Sequence, residues 1–289
     1  MKLSDITVST VRSPDMEMLY DHKARSIVEA LNAKVYGNGT ETLVLAHGFG
    51  SDQNVWLFLM PYLACYFKIV VFDLVFSPNV NPNLYDPNKY SNFEGYANDL
   101  VTLLDVLNVN QSTYIGHSMS AMIGCLASIK RPELFHHLVL LSGSPRYLNA
   151  EGYDGGFERS EINTTLRNIN QNFSSWVENF APMAVGVKNK KAISLFENSL
   201  RRMNPKIAFS TAKTVFLSDL RKILPQVKVP CTIIQSKKDI VVPQSVSYFM
   251  KRNLGGKARV KILKAQGHFP HLTAYPLLLK VLKRVHVIK

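Results

Sequence analysis

Ser118 stands in Ile115-Gly116-His117-Ser118-Met119-Ser120-Ala121, between a strand-like run, Ser112 to Ile115, and a helix-like run, Ala121 to Lys130. A serine between small residues at such a junction reads as a nucleophile elbow, a sharp turn that lifts its Oγ clear of a sheet. The helix N-terminus beside it favours developing negative charge. The usual spacing is G-x-S-x-G, and position 120 is here a serine, which is also small. Taken alone, the pentapeptide fits a serine N-cap on an ordinary helix as well.

Partners follow in the order Ser, Asp, His. Cys231 to Gln235 reads as a buried strand, with Asp239 just past its end. Arg259 to Leu263 reads as the next strand, followed by Gly267-His268-Phe269. Chemistry in open α/β sheets gathers at the carboxyl ends of the strands, where both residues fall. A neutral His268 would take the Ser118 proton, and Asp239 would orient the imidazole and stabilise its charged form. Each alone is also a plain loop residue; the ordered set favours nucleophilic catalysis. A fourth apolar strand, Thr42 to Ala46, ends in His47-Gly48-Phe49-Gly50. Its glycines let the backbone turn an amide inward, so the Phe49 and Met119 N–H groups are the candidate oxyanion hole.

These residues need a scaffold. Strand patterns at Thr42–Ala46, Lys68–Asp73, Ser112–Ile115, His137–Ser142, Cys231–Gln235 and Arg259–Leu263 alternate with helical ones. Alternation of that kind predicts an α/β fold: a mostly parallel sheet covered on both faces. A hairpin is expected within Ser26–Tyr36. With 289 residues and 46% hydrophobic content, one large core is affordable. Between Ser144 and Cys231 the chain is too long for a simple crossover. Leu166, Ile169, Phe173, Trp176, Val177 and Phe180 recur at threes and fours, one face of a helix. Ile193, Phe196, Leu200 and Met203 form a second face, and Ile207, Thr211, Val215 and Phe216 a third. Pro182 and Pro205 punctuate them. The result is a helical insert placed as a lid over the active edge.

The formal net charge is +13. The lysines and arginines are scattered, no nucleic-acid motif accompanies them, and solvated faces with weak polyanion attraction are expected. The first residues lack a signal-peptide core, and no apolar run approaches a membrane span. The basic, amphipathic C-terminal segment from Leu277 to Val287 reads as a helix packed on the sheet. Cys65, Cys125 and Cys231 read as buried thiols of a reducing compartment. No metal or cofactor motif is present in the sequence.

Several stretches resemble the plant strigolactone- and karrikin-receptor α/β-hydrolases, and more distantly the bacterial RsbQ-type hydrolases. They include Gly48-Phe49-Gly50-Ser51-Asp52-Gln53-Asn54-Val55-Trp56 and Gly116-His117-Ser118-Met119-Ser120-Ala121-Met122-Ile123-Gly124. Others are Ser144-Pro145-Arg146-Tyr147-Leu148-Asn149, Gly155-Gly156-Phe157-Glu158 and Phe180-Ala181-Pro182-Met183-Ala184-Val185-Gly186. The similarity runs from about residue 26 to 285, and the serine at position 120 is itself a mark of that family.

The resemblance implies an α/β-hydrolase core over residues 26–149 and 219–289, a V-shaped lid of four helices over 150–218, and a weakly ordered extension over 1–25. It implies binding and slow cleavage of butenolides through Ser118, Asp239 and His268. Substrate contacts would fall on Phe49, Tyr147, Phe157, Trp176, Phe180, Phe216 and Val241. A monomer in cytoplasm and nucleus is implied, whose lid recruits a leucine-rich-repeat F-box protein and so leads to loss of a repressor. The loop Phe76-Ser77-Pro78-Asn79-Val80-Asn81-Pro82 and the N-terminal extension depart from the usual pattern and fit a receptor-like side branch. A general carboxylesterase and a non-hydrolytic ligand-sensing module are the alternatives.

Overall fold

The computed structural model describes residues 27–285 and 287; the N-terminal extension over 1–25 lies outside them. Seven strands form one sheet: β1 (Lys34–Tyr36), β2 (Glu41–Ala46), β3 (Phe67–Phe72), β4 (Ser112–His117), β5 (Phe135–Leu141), β6 (Cys231–Lys238) and β7 (Ala258–Gln266). Their spatial order is β1-β3-β2-β4-β5-β6-β7. All neighbours are parallel except β1, which pairs antiparallel with β3. The six strands expected from the sequence are β2 to β7.

The expected hairpin is replaced by other structure. Residues 27–30 are helical, and Lys34–Tyr36 joins the sheet edge beside Val71, Val70 and Ile69. Alternation in so short a run cannot say which strand it pairs with.

The central strands are apolar throughout because helices cover both faces. Leu43, Val44, Leu45 and Ala46 of β2 are fully buried, as are Leu138 to Leu141 of β5. The covering helices are α1 (Phe93–Val106), α2 (Met119–Lys130) and, after four further helices, α7 (Gln244–Asn253) and α8 (Tyr275–Arg284). The C-terminal helix thus begins two residues before the expected start and ends three before Val287. It buries Leu278 and Leu282 against the core. Among the cysteines, Cys125 and Cys231 are buried thiols, whereas Cys65 is exposed, contrary to expectation.

Four helices lie between β5 and β6: α3 (Arg159–Gln171), α4 (Phe173–Val185), α5 (Lys190–Arg202) and α6 (Pro205–Leu217). The α4 and α5 helices pack together, as do α3 and α6. The face read as one helix from Leu166 to Phe180 is two. Asn172 breaks it at φ −149° and ψ 70°, and its side chain caps Ser175 N–H. An apolar period continues across such a corner because both helices turn the same side inward. Pro182 does not punctuate either; it lies inside the last turn of α4, and Gly186 at φ 72° ends that helix. Pro205 opens α6 at its first position.

One arginine links these four helices to the core. Arg202 at the end of α5 donates to Asp52 Oδ2 at 3.1 Å and to Asn79 Oδ1 at 3.1 Å. The Phe76–Pro82 loop therefore supplies one of the contacts that hold the four helices to the core.

Candidate active site

The strand order reverses between β2 and β4, and a crevice opens at the carboxyl ends of strands flanking such a switch point. The Phe49 loop leaves β2 there and the Ser118 elbow leaves β4. Ser118 has φ 56° and ψ −123°, a conformation costly for a residue with a Cβ. Its N–H donates to the Leu141 carbonyl at 2.8 Å, and its carbonyl accepts from Ala121 N–H at 3.0 Å. Small neighbours are obligatory at this turn. A Cβ on Gly116 would meet the Ser120 carbonyl oxygen at 2.4 Å, and one on Gly48 would meet Ser118 Cβ at 2.9 Å.

Position 120 does more than stay small. Ser120 Oγ donates to the His47 carbonyl over 2.5 Å, tying the elbow to the loop that carries Phe49. The size of this residue is legible in the sequence but the bond is not, since a hydroxyl's partner is set by the fold.

The three candidate residues converge. Ser118 Oγ lies 2.9 Å from His268 Nε2, and His268 Nδ1 lies 2.8 Å from Asp239 Oδ2. A carboxylate only accepts, so Nδ1 carries the proton and Nε2 faces the serine as an acceptor. Asp239 is held by its own donors: Val241 N–H at 2.8 Å, Val242 N–H at 3.2 Å and Gln235 Nε2 at 2.9 Å. Both His268 and Ser118 are buried. Met119 is the first residue of α2, so its N–H has no intrahelical acceptor. Phe49 sits at the turn between Gly48 and Gly50, the latter at φ 76°.

Residues 41–275 match the model of the alpha/beta hydrolase fold family. The chain is 44% identical over 259 residues to Strigolactone esterase D14 of Arabidopsis thaliana, covering 90% of this chain and 97% of that one. It is 46% identical to Strigolactone esterase RMS3 of Pisum sativum, over 86% of this chain and 93% of that protein. To Karrikin insensitive 2 receptor CA of Petunia hybrida it is 44% identical, over 89% and 96%. The chain belongs to this family of α/β-hydrolases. Among solved structures, a hydrolase from Oleispira antarctica superposes with a TM-score of 0.87 at 31% identity, covering 91% of this chain and 96% of that chain.

Two chambers share a wall, and the inner one is lined by Ser118 and His268. The inner one has a volume of about 20 Å³, room for about one water. Of the expected pocket residues, Phe49, Tyr147, Phe180, Phe216 and Val241 line it. Phe157 and Trp176 instead line an outer basin of about 440 Å³, which shares Phe180, Phe216 and Val241 with the inner chamber. Those three residues are the partition. Phe180 is stacked on Trp176, ring centroids 4.8 Å apart.

Phe196, Val215 and Phe269 also line the inner chamber and were not assigned to it from sequence. The first two lay on recognised helix stripes; an apolar stripe alone does not say which members face a ligand. Tyr147 Oη sits 3.5 Å from Ser118 Oγ, and burial pushes its phenol up from its ordinary value, so it stays a neutral hydroxyl at neutral pH. Among the described residues no cluster of His, Cys, Asp and Glu could hold a metal, and no helix is long and apolar enough to cross a membrane.

The histidines around the site resist protonation. Burial pushes His271 down to about 3, with His268 adding to it, and holds His47 and His117 below the usual imidazole range. On β5, His137 is pushed down to about 4 by burial and by the charge of Arg259. In the unfolded chain all four protonate near pH 6.5. Below that pH the unfolded state binds more protons, so stability falls as pH drops from about 6.5 toward 4. Thermal unfolding followed by circular dichroism should give a flat midpoint from pH 7 to 8 and a falling one from 6.5 to 5. A midpoint unchanged down to pH 5 would contradict neutral burial of these rings.

Proposed function

We propose that this protein binds neutral, apolar butenolide lactones and opens them slowly by covalent catalysis from Ser118, acting as a receptor-like hydrolase. The observation that carries this reading is the Ser118–His268–Asp239 chain of hydrogen bonds, 2.9 and 2.8 Å long, beneath an aromatic roof. His268 takes the hydroxyl proton as Ser118 Oγ attacks the lactone carbonyl. The Phe49 and Met119 amides stabilise the oxyanion, each worth about 10²–10³ in turnover in comparable sites. The ring C–O bond then breaks and His268 gives the proton to the freed ring oxygen, which stays tethered to the acyl chain, so the whole opened lactone is held as an ester on Ser118. Water, activated by His268, releases it.

No Asp, Glu, Lys or Arg side chain lines either chamber, which favours a neutral ligand. The inner chamber is too small for a five-membered lactone until Phe180 or Phe216 moves. After acylation the same tight roof restricts the access of water to the ester. Slow release of the acyl group follows from the enclosure, and a long-lived acylated state suits a receptor whose lid is read by an F-box partner with leucine-rich repeats. Such a role fits a monomer of cytoplasm and nucleus.

A substrate comparison tests the reading. Purified protein is incubated with a synthetic butenolide and with p-nitrophenyl acetate, and products and intact mass are followed. The expected result is about one equivalent of butenolide consumed early, a protein mass raised by the whole opened ligand, and slow release of product afterwards. Fast, sustained turnover of the acetate with no butenolide product would instead support a general carboxylesterase. A thermal shift with the butenolide but neither product nor adduct would support a ligand-sensing module without hydrolysis.

A further inference from the structure

His117 occupies the last position of β4, directly before Ser118. Its ring does not enter either chamber. It turns beneath the elbow, where Nε2 meets the main-chain carbonyl of His268 at 2.8 Å. A carbonyl only accepts, so Nε2 carries the proton and Nδ1 is bare. The ring is 1% exposed and packed on every side. Its centroid lies 4.4 Å from that of His271, 4.8 Å from His268 and 4.9 Å from Phe269. The Gly48 turn presses on it as well: a Cβ there would stand 2.9 Å from Nδ1.

That Nδ1 atom is buried with no hydrogen-bond partner among the described residues. A buried, unpaired acceptor costs folding free energy. A leucine would fill similar space without an unpaired Nδ1 but would leave the His268 carbonyl without its donor, so what the histidine contributes is that bond.

The bond closes a ring of contacts around the base. On the opposite side, His268 N–H donates to the Ala184 carbonyl of α4 at 2.8 Å, and Gly267 N–H donates to the Lys238 carbonyl at 2.7 Å. Those two holds come from the lid and from β6. Only the His117 bond comes from the nucleophile's own elbow. It fixes the main chain of His268 relative to residue 117 while the side chain of His268 reaches residue 118.

We propose that His117 is a positioning residue, whose Nε2–H holds the His268 loop in register with the elbow and so sets the separation between Ser118 Oγ and the base. Misplacing a reacting group by about 1 Å can cost about 10²-fold in rate, and a supporting shell exists to prevent that. Burial keeps the imidazole neutral, so it serves as a single fixed donor across the working pH range.

This inference rests on the hydrolase reading above, and its test separates the two. His117→Leu, His117→Gln and His117→Asn are compared with the parent and with a Ser118→Ala blank, on a butenolide and on p-nitrophenyl acetate. Glutamine places an amide N–H near the Nε2 position; asparagine reaches only the Nδ1 position. Expected is a kcat lowered about 10- to 100-fold in His117→Leu with KM within about twofold, at an unfolding midpoint close to the parent's because one unpaired acceptor is exchanged for another. His117→Gln should return to within about threefold of the parent, and His117→Asn should stay near His117→Leu. A His117→Leu kcat within twofold of the parent would overturn the proposal, as would equal impairment of the Gln and Leu variants. If the Leu variant does not fold, the Gln and Asn pair decides: equal rates defeat the idea and a tenfold gap supports it. Turnover persisting in Ser118→Ala would instead defeat the hydrolase reading itself.

Discussion

Replacing Ser118 with alanine is expected to lower butenolide turnover by at least about 10³-fold and to leave no acylated protein detectable by mass. The magnitude follows from the geometry. Oγ is the one hydroxyl 2.9 Å from an imidazole whose far nitrogen is already held by a carboxylate. Tyr147 Oη approaches the same region, but its phenol is pushed up by burial and cannot replace Ser118 as an activated nucleophile at neutral pH. Removing His268 as well should add little, because residues that act as one unit are strongly non-additive. Removing Oγ also relieves crowding under a roof with room for about one water. Ser118→Ala should therefore bind butenolide at least as well as the parent, seen as an undiminished thermal shift. A variant that still forms product at a tenth of the parent rate would end the covalent mechanism. One that loses binding together with turnover would show that the serine builds the pocket rather than attacks.

Much of this site was legible in the chain. Strands buried on both faces are continuous apolar runs, so β2, β4, β5 and β6 could be read from Leu43–Ala46, Tyr114–Ile115, Leu138–Leu141 and Cys231–Ile234. Reading them as parallel put Ser118, Asp239 and His268 at one edge, where the structure brings their atoms within hydrogen-bond distance. What escaped depends on contacts between distant segments. The corner at Asn172 leaves the apolar period intact, so periodicity could not detect it. The pairing of Lys34–Tyr36 with β3 is a tertiary choice. The exposure of Cys65 depends on how the 60–66 segment lies on the core. The division of the aromatic residues into an inner chamber and an outer basin depends on side-chain directions at α4 and α6 that a stripe of residues does not specify. The Ser120 and His117 bonds reach carbonyls 73 and 151 residues away.

Gly267→Ala is expected to be the most damaging single methyl group in the chain. Gly267 has φ 87°, where a Cβ is strained in any surroundings. Here the added carbon would also lie 1.8 Å from the Val185 carbonyl oxygen and 2.6 Å from its carbon. Opposite it stands Gly186 at φ 72°, whose own Cβ would meet Gly267 Cα at 2.6 Å. The end of α4 and the loop of the base thus cross where only bare backbones fit, and neither can yield alone. His268 N–H to Ala184 is the next bond along that crossing. Lifting α4 away would therefore loosen the His268 loop and the four-helix insert in one step. A stability loss of about 3 kcal/mol or more is expected, lowering the unfolding midpoint by at least about 5 °C. Hydrolysis should fall at least about tenfold even at temperatures where the variant is fully folded. Gly152→Ala is the control. It shares the strained backbone, with φ 66°, but its Cβ would meet nothing within 4 Å. Strain alone should cost it about 1–2 kcal/mol and leave turnover unchanged. Equal effects in the two variants would mean that the crossing is slack. A Gly267→Ala protein that unfolds early yet keeps full activity when folded would mean that the base is positioned independently of the lid.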